Sequence, residues 1–63
     1  MKVYWLLEKN ENGMPAYIHK ENYRTTNDPW QAKRFQTKKD AQSYIETESL
    51  SGQGYGPVEH GFY

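Results

Sequence analysis

No cysteine occurs in this 63-residue chain. That excludes disulfides, thiolate-ligated zinc, thiol nucleophiles and dithiol redox chemistry, and it fits a reducing compartment. Long apolar runs are missing too. The longest at the start, Val3 to Leu7, is five residues, against about 7–15 for a secretory core and roughly 20 for a bilayer span. There is no charge excess either, with eight basic and eight acidic residues, where a general nucleic-acid binder carries a basic surplus. The expectation is a soluble, cytoplasmic protein with no membrane association.

Catalytic patterns are equally scarce. His19 and His60 have Glu21 and Glu59 beside them, but no set of three or four ligands at metal-binding spacing, so both read as capping or packing histidines. The serines and threonines stand in turn or helix-end contexts without a nucleophile motif. Glu46 and Glu48, two apart on a helix, point in different directions. The glycine-rich GQGYG at 52–56 lacks the flanking strand, helix and lysine of a phosphate loop, and reads as a connector. Neither an enzyme, a cofactor nor a metal is expected.

What the chain has is aromatics: six Tyr, two Trp and two Phe. Each can bury about 150–250 Å², which makes folding credible for a single domain, 1–63, that hides only about 60% of its unfolded surface. Domains this small lean on disulfides, metals or partner subunits; without cysteine, self-association gains weight.

KVYWLLE, residues 2–8, has strand composition, with Val3, Trp5 and Leu7 on one face and Tyr4 and Leu6 on the other. Both faces are apolar, which places the strand centrally or sets its second face against something. KNENG (9–13) is a turn, and PAYIHKENYRT (15–25) a second strand opened by Pro15. Asp28 before Pro29 is an N-cap with proline at the first helical position, starting a short turn that strand-like RFQ (34–36) ends. Thr37 with Asp40 resembles a capping box, and the helix that follows, about 38–49, carries Ala41, Tyr44, Ile45 and Glu48 on one stripe. LSGQGYGP (50–57) is a loop and VEHGFY (58–63) a last short strand. The order β-β-(turn)-β-α-β predicts an α+β fold: a small antiparallel sheet of three to four strands with one helix across a face.

The spaced residues Asp28, Pro29, Ala32, Phe35, Thr37 and Ala41, with the closing PVEHGF at 57–62, carry a likeness. The chain resembles small uncharacterised accessory proteins of tailed phages and prophages. These share an aromatic first strand, a D-P-x-x-A-x-x-F-x-T segment, a helix and a terminal P-V-E-H-x-F. The resemblance implies a phage or prophage setting and a bacterial host cytoplasm. It also implies a role in binding a host protein to modulate or inhibit it, defence-system components included.

The surface to suspect begins at Lys33, Arg34, Lys38 and Lys39. From Lys33 to Lys39 there is no acidic residue, and beyond Asp40 no Lys or Arg. Two lysines at a helix start add to the positive end of the macrodipole and suit an anionic partner. Exposed aromatics would complete the contact: Tyr4, Trp30 and Tyr55; Trp30 and Tyr23 could instead stack on bases. The expected function is a non-enzymatic binder of a host protein; the alternative is a small nucleic-acid-binding regulator using the same residues. The second apolar surface, Tyr4 and Leu6 with Tyr17 or Ile18, is either closed by Phe62 or Tyr63 folding back or left open, to a target or to a second copy in a homodimer.

Overall fold

The computed structural model describes residues 1–21 and 24–63. Tyr23 lies outside the described residues. The chain forms a four-stranded antiparallel sheet with one helix packed against it: β1 (Lys2–Glu11), β2 (Met14–Ile18), β3 (Thr25–Thr26), a 3₁₀ turn (Pro29–Gln31), α1 (Lys38–Thr47) and β4 (Gly56–Phe62). The spatial order is β3-β2-β1-β4. The doubly apolar strand is therefore an inner one, as its composition required.

β1 runs three residues past the expected KVYWLLE because the turn is only two residues long. Asn12 (φ 54°) and Gly13 (φ 82°) are both left-handed, the geometry that matches strand twist in a tight hairpin, and the Asn10 side chain accepts from the Gly13 N–H at 2.9 Å. Pro15 is the second residue of β2, opposite Asn10. Pairing alternates outward from the turn, so its missing N–H falls on the side away from β1. There the Asn27 side chain donates to the Pro15 carbonyl at 2.9 Å.

The third strand is not the one the composition favoured. The 15–25 segment breaks after Ile18, and Thr25–Thr26 returns to pair with Tyr17 and Ile18. RFQ makes only a bridge: Phe35 and Trp5 exchange both backbone bonds at 2.8 Å. Pairing between β1 and β2 stops at Glu8↔Tyr17, and the 31–35 segment fills the gap beyond. It bonds to the end of β2 through Lys33 N–H to Ile18 O and to the chain just beyond through Lys20 N–H to Gln31 O, both 2.9 Å.

Alternation along β1 divides the interior in two. On the helix side Leu7, Ile18, Phe35, Ala41 and Ile45 are buried together, with Trp5, Tyr44, Leu50 and Tyr55 around them. On the other side Leu6, Tyr17, Ala32 and Phe62 form a second cluster, flanked by Tyr4 and Val58. The second face is thus closed from within the chain. Tyr17 faces it and Ile18 faces the helix; Phe62 closes it from the adjacent strand β4, in register with Lys2, while Tyr63 is 96% exposed.

Thr37 caps α1, its hydroxyl accepting from the Asp40 N–H at 3.1 Å. The helix stops two residues short of Ser49 because Ser49 itself is left-handed (φ 57°). The Leu50 N–H reaches back to Ile45 O at 2.9 Å and the Ser49 N–H to Glu46 O at 3.4 Å. This is the Schellman arrangement, with Leu50 packed on the cluster that contains Ile45. Among the described residues no helix is long and apolar enough to cross a membrane.

Candidate functional site

The most organised surface is built on the Asp28-Pro29 turn. The Asp28 N–H donates to the Thr26 hydroxyl at 3.1 Å, and the Asp28 carboxylate accepts from the Trp30 N–H at 2.9 Å. Proline presets the first backbone angle, so Trp30 is fixed at its backbone while 48% exposed. Its ring meets Phe62 edge-on at 4.9 Å, and Tyr4 meets Phe62 at 6.0 Å in the same manner. His60 lies against the same ring at 4.8 Å.

Arg34 is laid over this group. Its guanidinium carbon is 4.0 Å from the Phe62 ring centre, 5.4 Å from Trp30 and 5.5 Å from Tyr4. Such contacts stabilise by about 0.5–1 kcal/mol each at exposed sites. They hold the planar fork in place without occupying its donors. Lys9 and Glu11 form an ion pair at 3.4 Å, and among the described residues no ion pair is found between Arg34 and a carboxylate. Arg34 borders an open recess of about 350 Å³ together with Lys2, Tyr4, Trp30, Phe62 and Tyr63. A guanidinium held over aromatic rings at the border of a recess suits a planar anion such as a carboxylate.

The basic run separates. In the extended 32–35 segment Ala32 and Arg34 point to one sheet face and Lys33 and Phe35 to the other. Lys33 lies 5.4 Å from the Tyr44 ring and 5.8 Å from Phe35, on the helix side. Lys38 is 6.0 Å from Trp5. Lys39 borders a shallow groove on the outer helix face with Lys38, Gln42, Ser43 and Glu46. Tyr55 is half-buried against the helix-side cluster, with Lys9 4.9 Å from its ring. So the structure brings together Arg34, Trp30 and Tyr4, and parts them from Lys38, Lys39 and Tyr55.

Sequence reasoning did not place several members. Phe62 is the ring on which the others converge, and Lys2 and Tyr63 border the recess. Lys20 shares a second recess with Ala32, Lys33 and Arg34. The register of β4 on β1 and the His19–Ala32 bridge bring them there, and neither is a local signal.

The remaining polar groups are structural in character. The His19 Nδ1 accepts from the Glu21 N–H at 3.1 Å. The Tyr17 hydroxyl is pushed above its usual pKa by burial first, then by its hydrogen bond to Glu8 and that carboxylate's charge. Glu8 is its cross-strand neighbour. Among the described residues no three His, Asp or Glu side chains converge as a metal site. In comparison with known proteins, no family model, curated protein or solved structure matches this chain.

Proposed function

We propose that this chain is a non-enzymatic accessory protein of the tailed-phage type that binds a host protein and inhibits or modulates it, with Arg34 and its aromatic neighbours as the contact surface. The observation that carries the reading is the Arg34 guanidinium lying over Phe62 at 4.0 Å, with Trp30 and Tyr4 beside it, at the border of an open recess. Binding energy at protein interfaces concentrates in Trp, Tyr and Arg, and here these types meet in one place. An acidic or carboxylate-bearing patch on the partner is the matching chemistry. The likeness in the D-P-x-x-A-x-x-F-x-T segment supports the phage setting, and a defence-system component is one class of target it implies.

The nucleic-acid alternative has less behind it. Lys20, Lys33 and Arg34 border one recess while Lys38 and Lys39 border a separate groove on the helix, so the basic side chains do not form one continuous track, and the formal charge is zero.

The test is capture of host proteins from bacterial lysate by the tagged chain, with and without nuclease. The expected result is one protein retained after nuclease treatment, lost with Trp30→Ala or Arg34→Ala and kept with Lys39→Ala. Capture that disappears with nuclease, or that survives both substitutions, refutes the reading.

A further inference from the structure

The two edges of the sheet are unequal. β3 is two residues long, whereas β4 offers seven, Gly56–Phe62, with nothing paired to its outer side among the described residues. A long open edge is a template for another strand. Which groups it presents follows from Trp5. Both Trp5 backbone bonds go to Phe35, so its β4 partner Glu59 is not bonded to it. The Glu59 N–H and C=O must point outward. Alternation extends this to Gly61, opposite Val3, and to Pro57, opposite Leu7. The edge therefore presents two donors (Glu59 and Gly61) and three acceptors (Pro57, Glu59 and Gly61). One of them has a neighbour already: His60 Nδ1 lies 3.1 Å from Gly61 O, which leaves that oxygen a second lone pair.

We infer that this edge pairs with the β4 edge of a second copy, antiparallel and two-fold symmetric, giving a continuous eight-stranded sheet. Self-pairing selects one register. Placing Glu59 opposite the second copy's Glu59 sets like charges face to face, which destabilises a cross-strand pair. Setting Gly61 opposite Gly61 leaves Glu59 unpaired within the strand, and setting Glu59 opposite Pro57 meets a residue with no donor. With His60 opposite His60, each Glu59 exchanges two bonds with the other copy's Gly61, satisfying every outward donor of the strand. Val58 then meets the other copy's Phe62 on the face that carries Tyr4 and Leu6. That joins the two aromatic clusters side by side and enlarges a thin core. Pro57 and Glu59, which would ordinarily protect an edge, here discriminate between registers. The inference stands independently of what Arg34 binds.

Strand-edge pairing buries less than a standard interface, so the expected dissociation constant is about 10–100 µM. A cysteine-free chain offers a direct test. His60 facing itself across the axis is a non-hydrogen-bonded pair with Cα atoms about 4.5 Å apart, within disulfide range. His60→Cys should therefore form a covalent dimer about tenfold faster than Glu59→Cys or Val58→Cys under a glutathione redox buffer. Adding Glu59→Pro, which removes an outward donor and no bond to β1, should slow the cross-link while leaving the circular dichroism unchanged. Sedimentation of the unmodified protein should show a concentration-dependent dimer. Monomer alone up to about 1 mM, or cross-linking as fast at positions 58 or 59 as at 60, overturns the inference.

Discussion

Replacing Ser49 with glycine should make this protein more stable, although it removes atoms and creates no new packing. Ser49 ends α1 with φ 57°, where an L residue's Cβ crowds the following carbonyl at a cost of about 1–2 kcal/mol. Glycine has no such penalty. Its greater freedom in the unfolded chain offsets about 0.4–1 kcal/mol, leaving a net gain of roughly 0.5–1 kcal/mol. The bonds that define the helix end, Leu50 N–H to Ile45 O and Ser49 N–H to Glu46 O, use main chain only and survive the change. For a domain this small 1 kcal/mol moves Tm by about 4–8 °C; the expected rise is thus roughly 2–8 °C. Thermal unfolding by circular dichroism reads it directly. Urea titration should show a higher midpoint at unchanged slope. Ser49→Ala, with the same backbone restriction and no hydroxyl, should stay within about 0.5 kcal/mol of the parent. Ser49→Val should fall below it, because a branched Cβ tolerates positive φ poorly. A glycine variant no more stable than the alanine variant would refute the reasoning.

Leu6→Ala should leave the chain largely unfolded at room temperature. Leu6 is wholly buried, such truncations cost about 2–5 kcal/mol, and a core of this size supplies about 3–5 kcal/mol in all; the amide NMR spectrum would show the collapse of dispersion. Thr37→Ala removes the hydroxyl that accepts from Asp40 N–H and should lower stability by about 1 kcal/mol in urea titration. Arg34→Ala, by contrast, should change stability by less than about 1 kcal/mol for each ring the guanidinium no longer covers while abolishing partner capture, a split that thermal unfolding and pull-down together would show. The raised Tyr17 pKa carries a definite sign. The folded state holds the phenolic proton more tightly than the unfolded chain, so stability is intact below the ordinary tyrosine value of about 10 and declines as pH rises through the folded value. Tyr17→Phe should flatten that alkaline decline; an unchanged slope would show that Tyr17 is not its source.

Local rules were readable from the chain because their chemistry is local. Asp28-Pro29 caps a turn, Thr37 caps a helix, Asn12-Gly13 closes a hairpin, and Ala41 with Ile45 makes a helix stripe; each depends on neighbours within a few residues. The positions that carry the phage likeness are of the same kind. Asp28 and Thr37 cap, and Ala32, Phe35 and Ala41 are buried, so they speak of architecture more than of binding. Thr25–Thr26 as the third strand was not readable, because two threonines pair only where β2 supplies an edge. Nor was the fate of RFQ (34–36), which composition favours as a strand and which the divergence of β2 from β1 reduces to a bridge at Phe35.

The candidate surface shows the same division. Lys33 and Arg34 are adjacent in sequence, and strand alternation sends them to opposite faces. Phe62 and Arg34, 28 positions apart, end against each other because β4 docks on the far side of β1. Residue identity and near-neighbour geometry determined the hairpin, the helix, their caps and the two-faced central strand. Which cations meet which rings, and which strand edge stays open, was decided by the sheet order and register alone, since those depend on how the whole chain closes.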